Sequence, residues 1–298
     1  MILRTTLSTL LLLCSLAANA QDFFSEFIEH FNARDTLKQR LTLEMWEAES
    51  PEDPELFVSY FNYYFERSKV RGLQLSVTTP DGQTQGSDEN RQDINDFLAD
   101  KTFFVGSIFN KGISNIDRGI GLYPDRLDMR YAKIDALGQN EEWDAFVAAI
   151  KDMVARSSVN KNQWLGVQNA PYEGNEETFL SKIQEYHITI LNLQDIQLLP
   201  KIRESAEAVL SYYPKHVTSL SDLGVTYLIE ENYEKTLEVL LRAEEIDDQN
   251  TQILANIAFA YRELGDTKKA IRYYKRMIKT GDPKAIDFAE EQLHELSN

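Results

Sequence analysis

Apolar positions in the last third of the chain recur at an interval of 34 residues. Each copy has two apolar stripes at helical spacing, and a short polar break separates them. A repeat of this length predicts a pair of antiparallel helices that buries its apolar face only by stacking on further copies. The first copy carries Leu220, Leu223, Gly224, Tyr227, Asn232, Thr236, Leu240 and Ala243, and the second carries Leu254, Ile257, Ala258, Tyr261, Asp266, Ala270, Tyr274 and Met277.

These units resemble the tetratricopeptide repeat (TPR), whose pattern is a large residue, Leu-Gly, Tyr, Ala, an aromatic residue and Pro. Leu223-Gly224 and Tyr227 meet this pattern, whereas Asp248 replaces the usual proline and Pro283 comes one position late. The resemblance covers residues 217–250 and 251–283. It implies an all-α fold, a right-handed α-solenoid of TPR or TPR-like hairpins, and a protein that binds partners and is not an enzyme.

Weaker forms of the pattern extend toward the N terminus. Pro214 stands 34 residues before Asp248, which predicts that a TPR-like hairpin also precedes the two repeats. A polar stretch with Asn-Ala-Pro and Glu-Gly-Asn breakers predicts a loop insertion. The expected segments are N-terminal helices over 21–50, a hairpin over 51–124, a hairpin over 125–157, the loop over 158–178, a hairpin over 179–215, and a capping helix over 284–298 after the repeats.

One segment, about residues 69–103, interrupts the helical pattern. Leu73, Leu75 and Val77 alternate with polar residues, and Pro80-Asp81-Gly82 is strong turn chemistry before residues 83–85. We therefore expect a small β-hairpin and a helix to be inserted into the hairpin over 51–124.

The first twenty residues have the pattern of a secretory signal. Arg4 precedes an apolar stretch from Leu7 to Leu16, and Ala18-Asn19-Ala20 offers a cleavage site before Gln21. The stretch is too short to span a hydrocarbon core of about 30 Å, so no membrane insertion is expected. The single cysteine, Cys14, follows Leu13, which is not small, and this disfavours lipidation. We expect an exported protein, periplasmic or secreted.

Composition and motifs narrow the function further. The net charge of −17 disfavours nucleic acid and anionic membrane surfaces as partners. The four histidines, His30, His187, His216 and His294, have no second histidine or cysteine at metal-ligand spacing. No HExxH, GxSxG or phosphate-loop pattern occurs. We expect no metal, no cofactor and no catalytic residues; an enzyme whose site lies in the insertion is the minor alternative.

The TPR resemblance also implies a concave face, lined by the first helix of each hairpin, that holds a protein or peptide partner. Arg262 is the only basic residue among its expected positions, which disfavours recognition of a C-terminal carboxylate. Val225, Leu228 and Phe259 either bind apolar side chains of the partner or are buried by neighbouring hairpins. The expected positions are Gln184, His187, Leu191, Gln194, Thr218, Ser221, Val225, Leu228, Ile229, Gln252, Ala255, Phe259 and Arg262.

A second candidate contact surface is the aromatic helix over residues 57–65. Its aromatic residues are too many for one stripe, so some must lie on a second face. Tyr60, Tyr63 and Tyr64 either stack on sugar rings or pack beneath the insertion. The leading hypothesis is thus a non-enzymatic exported scaffold that binds a protein or peptide partner. The alternative is a carbohydrate-binding accessory protein that uses this helix.

Overall fold

The computed structural model describes residues 22–75 and 98–297. The chain divides into two compact units: unit 1 comprises Met1–Glu141 and Trp164–Tyr172, and unit 2 comprises Glu142–Gln163 and Glu173–Asn298. The expected signal segment and the expected turn at Pro80-Asp81-Gly82 lie outside the described residues. Each unit is described by itself below.

Unit 1 is mainly helical. Asp35 and Asp53 begin two of its helices, since their carboxylates accept hydrogen bonds from the amides of Lys38 and Glu55. The elements are α1 (residues 22–32), α2 (Thr36–Glu49), α3 (Pro54–Ser68), β1 (Lys69–Leu75), β2 (Leu98–Phe104), α4 (Gly106–Leu122) and α5 (Leu127–Gln139).

Aromatic and aliphatic side chains of α1, α2 and α3 form the N-terminal core of unit 1. Phe27, Leu43 and Trp46 are fully buried there. Helix α4 crosses α3 closely, because a Cβ at Gly112 would lie 3.3 Å from the carbonyl oxygen of Phe61. The absence of a side chain at Gly112 therefore allows the backbones of α3 and α4 to approach closely.

Strand β1 pairs with β2 in an antiparallel two-stranded sheet, from Lys69 opposite Phe104 to Leu75 opposite Leu98. The sequence predicts that the chain turns at Pro80 and returns at once, whereas in the structure residues 98–104 form the partner strand. Phe104 explains their position: its ring lies 5.5 Å from Phe65 of α3 and 5.4 Å from Phe109 of α4. These aromatic contacts fix β2 against the helices.

A buried arginine ties the segment 164–172 to unit 1. The guanidinium of Arg126 lies 2.8 Å from Glu55 and 2.8 Å from Asp128. Burial alone would lower the pKa of Arg126, but the hydrogen bonds to the two carboxylates outweigh it and raise the pKa. The amide of Gln168 donates to the same Glu55 carboxylate at 2.6 Å. One carboxylate thus joins α3, the start of α5 and the segment 164–172.

Unit 2 consists of helices whose starts are fixed by polar caps. Asn232, Asn250, Asp266 and Asp282 each accept a hydrogen bond from the amide three residues later. No helix in the described ranges is long and apolar enough to cross a membrane. The helices are α6 (Trp143–Asn160), α7 (Glu176–Leu191), α8 (Leu199–Tyr212), α9 (Val217–Ile229), α10 (Tyr233–Glu244), α11 (Thr251–Glu263), α12 (Thr267–Thr280) and α13 (Pro283–Glu295).

The C-terminal helices of unit 2 pack as successive hairpins. Helix α9 packs on α10 and α11 on α12, and each second helix then packs on the first helix of the following pair. Gly224 permits the crossing of α9 and α10, because a Cβ there would lie 2.6 Å from Cγ of Leu240. The structure confirms the predicted fold class: all-α, with helical hairpins and a small β insertion.

Helices α7 and α8 depart from this regular packing. Helix α8 packs more extensively on α6 and α9 than on α7. The connection between α7 and α8 contains a 3₁₀ turn, Ile196–Leu198, and an exposed stretch over 192–195. Its length lets the two helices separate, whereas the short breaks inside the two repeats hold each pair together.

Candidate partner-binding face of unit 2

Helices α7, α9 and α11 lie side by side in unit 2, since α7 contacts α9 and α9 contacts α11. We call their shared outer surface the first-helix face. Nearly all residues predicted to bind a partner keep accessible surface on it. The partly or largely exposed ones are Gln184, Leu191, Gln194, Thr218, Ser221, Val225, Leu228, Ile229, Gln252, Ala255, Phe259 and Arg262.

His187 was expected on this face but is buried, with 1% of its surface exposed. Its Nδ1 lies 2.7 Å from a carboxylate oxygen of Asp222, and its Nε2 lies 2.7 Å from the hydroxyl of Ser205. The imidazole therefore connects α7, α8 and α9. Ser205 is also 1% exposed. Although this connectivity resembles a nucleophile–base–acid triad, a buried hydroxyl cannot meet a substrate, so the arrangement is structural.

The apolar candidates on α9 and α11 are accessible. Val225, Leu228 and Phe259 are all partly exposed. Leu228 also packs against the hydrophobic core of unit 2. The ring of Phe259 lies 6.1 Å from that of Tyr233, in an edge-on contact that fixes its orientation. Apolar area therefore remains available on a rigid support.

Arg262 is already engaged within unit 2. Its guanidinium hydrogen-bonds Gln292 of α13 at 2.6 Å and lies 3.0 Å from Glu263 and 3.7 Å from Glu295. It also lies 4.7 Å from the centre of the Phe259 ring. Because two carboxylates balance its charge, Arg262 is poorly placed to hold the carboxylate of a partner.

A cleft of about 380 Å³ opens beside α11 and α13. It includes two predicted positions, Gln252 and Ala255, and the exposed ring of Phe288. Its remaining lining combines apolar and charged side chains, which suits a partner side chain with an apolar stem. The other lining residues are Thr251, Met277, Asp282, Lys284 and Ala285.

Sequence reasoning missed Asn256, which lies on α11 next to the lining residue Ala255. Its side chain is 8% exposed, and its Nδ2 has no hydrogen-bond partner in the described part of the chain. Its Oδ1 accepts a hydrogen bond from Gln252 at 3.1 Å. A buried donor without a partner costs the fold about 1–3 kcal/mol. Because the Nδ2 atom is itself buried, a partner cannot reach it, just as a substrate cannot reach Ser205.

The 34-residue repeat offers a sequence signal that could have drawn attention to Asn256. Asp222 stands one period earlier, at the same position of α9, and its carboxylate is paired with His187. The second repeat has no counterpart to His187 that pairs with the Asn256 amide. A comparison of polar residues at matching repeat positions would have identified both side chains.

The second candidate surface lies on α3 in unit 1. Tyr60 and Tyr64 stack at 6.1 Å, and the hydroxyl of Tyr60 donates a hydrogen bond to Glu47 at 2.8 Å. Burial and this hydrogen bond raise the pKa of Tyr60. Tyr63 is buried, with 5% exposure. These tyrosines mainly pack within unit 1, and only Tyr60 and Tyr64 keep partial exposure.

Across residues 22–75 and 98–297, no group of three or more histidine, cysteine or acidic side chains is arranged to hold a metal ion.

One segment of the chain matches a family model. Residues 251–280, which span α11 and α12, match the model described as tetratricopeptide repeat. That segment of unit 2 is similar to a TPR. No curated protein matches the sequence of the chain.

Several solved structures are similar to parts of the chain. The C-terminal part of a TPR repeat-containing protein from Cytophaga hutchinsonii is 11% identical, with 92% of this chain and 87% of that one covered and a TM-score of 0.45. YrrB, described as a TPR protein with an unusual peptide-binding site, is 10% identical, with coverages of 84% and 97% and a TM-score of 0.40. MamA from Desulfovibrio magneticus RS-1 is 16% identical, with coverages of 58% and 85% and a TM-score of 0.34.

Proposed function

We propose that this protein is a non-enzymatic scaffold that binds a protein or peptide partner through the first-helix face of unit 2. We further propose that it acts after export, in the periplasm or outside the cell; this part rests on the signal-like pattern of the first twenty residues. The observation that carries the binding proposal is the combination on α11 of accessible apolar surface and an adjoining cleft.

The chemistry of this face favours a segment of polypeptide. Val225, Leu228 and Phe259 offer apolar contact, and the cleft beside Gln252 has room for a side chain. The negative net charge and the neutralised Arg262 disfavour an acidic partner.

The apolar part is tested by replacing Leu228 and Phe259 together with Asp. The matched control is Val159→Asp, since Val159 is an apolar residue of α6 in the same unit and is 67% exposed. Partners are captured by crosslinking in a periplasmic extract, identified by mass spectrometry, and then titrated in purified form. We expect the double variant to bind at least about 10-fold more weakly and the control to bind like the wild type. Identical partner lists and affinities would remove the first-helix face from the proposal.

A further inference from the structure

A second cleft of unit 2, of about 420 Å³, opens between helices α8 and α10. Its floor is apolar, since Leu223 of α9 and Val239 of α10 are buried there and Leu210 of α8 is partly buried. The ring of Tyr227, also on α9, is partly buried beside them. The described lining includes no position predicted for the first-helix face, so this is a separate feature of the unit. We call it the α8–α10 cleft.

Exposed charged side chains surround the apolar floor. Lys235 and Arg242 are basic, and Glu207 and Glu238 are acidic. The Nζ atom of Lys235 lies 5.2 Å from the centre of the Tyr227 ring. Among the described residues, these charged groups form no ion pair. Two cations and two anions of the cleft are therefore available to a ligand.

The second repeat shows which group fills the middle of such a cleft. One period later, Tyr273 takes the position of Val239, and Tyr261 takes that of Tyr227. The rings of Tyr273 and Tyr261 stack with their centres 5.7 Å apart. Because a valine side chain is much smaller than a tyrosine ring, the volume that Tyr273 fills in the second repeat stays open in the first.

The second repeat also shows which charge completes the cleft. Arg276 of α12 is the counterpart of Arg242, and it pairs with Glu244 of α10. Its guanidinium also lies 5.0 Å from the centre of the Tyr273 ring. The residue one period before Glu244 is Leu210, so Arg242 has no carboxylate at the matching position of α8. A carboxylate beside an aromatic ring is thus the pair of groups that the first repeat lacks.

The acidic side chains favour a third group on the ligand. Glu207 and Glu238 have no acidic counterparts in the second repeat, where Leu241 and Arg272 stand at those positions. Carboxylates without a partner favour a cation, and an ammonium group has three donors to offer them. A molecule with an aromatic ring, a carboxylate and an ammonium group would therefore use the whole lining of the cleft.

We propose that the α8–α10 cleft binds a free aromatic amino acid. The ring lies over Val239, in the place that Tyr273 fills one repeat later. The carboxylate pairs with Arg242, and the ammonium group pairs with Glu207 and Glu238. A ligand of about 12 non-hydrogen atoms in an open cleft binds weakly, so we expect a Kd of about 1 mM. The site does not depend on the partner-binding role proposed above.

Saturation-transfer difference NMR of the purified protein with L-phenylalanine, from about 0.1 to 10 mM, tests the site. Two analogues test the charges: L-phenylalaninamide lacks the carboxylate, and N-acetyl-L-phenylalanine lacks the ammonium group. Each should bind at least about 5-fold more weakly, because one charge-assisted hydrogen bond is lost. N-acetyl-L-phenylalaninamide has neither charge and represents an internal residue of a polypeptide. If it binds as tightly as L-phenylalanine, the cleft takes a side chain of a protein, and the proposal is wrong.

Two variants copy the second repeat into the cleft. Val239→Tyr supplies the ring and Leu210→Glu supplies the carboxylate, so each should weaken the binding of L-phenylalanine at least about 10-fold while circular dichroism stays unchanged. Val159→Tyr, at an exposed site of α6, is the control and should bind like the wild type.

A third variant tests the role of the exposed arginine. Arg242→Gln should weaken binding about 5-fold and remove the preference for L-phenylalanine over L-phenylalaninamide, because the carboxylate loses its partner. A wild type without saturable binding, undiminished binding to Val239→Tyr, or an unchanged preference in Arg242→Gln would each overturn the proposal.

Discussion

Replacement of Arg126 by Met tests how much the buried ion network stabilises unit 1. Arg126 is fully buried, and its partner Glu55 has a side chain that is only 6% exposed. The change removes the cation and leaves the Glu55 carboxylate in a site from which water is excluded. Breaking a buried pair in this way costs about 3–5 kcal/mol, because the remaining charge has no compensation.

A second ion pair in the same unit provides the control. Lys133 of α5 lies 2.6 Å from Asp117, but the two side chains are 23% and 46% exposed. Lys133→Met should therefore cost no more than about 1 kcal/mol, since water screens this pair. The distances in the two pairs are similar, so the expected results differ because Arg126 is buried and has a second carboxylate partner, Asp128. For a unit of this size, the larger loss lowers Tm by about 10–15 °C.

The assay follows tryptophan fluorescence during urea unfolding. Trp46 and Trp164 report on unit 1, and Trp143→Phe removes the signal from unit 2. Adding Glu55→Gln to Arg126→Met should restore about 1–3 kcal/mol of the free energy of unfolding, because it replaces the unpaired carboxylate with a neutral amide. Equal losses for Arg126→Met and Lys133→Met would refute the reasoning, as would a double variant no more stable than Arg126→Met.

Two further predictions concern two glycines, one in each unit, and the pH dependence of the stability of unit 2. Gly224→Ala should lower the free energy of unfolding by about 1–2 kcal/mol, since the new Cβ crowds Leu240. Gly121→Ala in α4, where a Cβ meets nothing within 4 Å, should raise the free energy of unfolding by about 0.5–1 kcal/mol. Thermal unfolding measures both variants, and a Gly121→Ala variant less stable than Gly224→Ala would contradict the prediction. Burial lowers the pKa of His216 below its ordinary 6.5, against the opposing effect of Glu177, Asp222 and Glu176. As the pH falls, the unfolded chain therefore binds the proton before the folded chain does, so stability falls as pH drops through 6.5. His216→Asn should reduce the change of Tm between about pH 7 and 5. A pH profile of Tm that is the same in the variant and the wild type would contradict the prediction.

The repeated part of the chain could be predicted well because its signals are local. The apolar stripes predict α9 to α12, and the capping residues Asn232, Asn250 and Asp266 mark where α10, α11 and α12 begin. Proline after an acidic cap similarly marks the start of α3. Such features act within a few residues of one another, so a single sequence contains all the information they need.

The features that sequence reasoning missed depend on distant contacts. Strand β2 pairs with β1 across an intervening segment and is fixed by Phe65 and Phe109, which no local pattern reveals. The burial of His187 depends on Ser205 and Asp222, which come from two other helices. Helix α7 lies outside the regular repeats, so transferring the repeat register to it placed His187 on the wrong face.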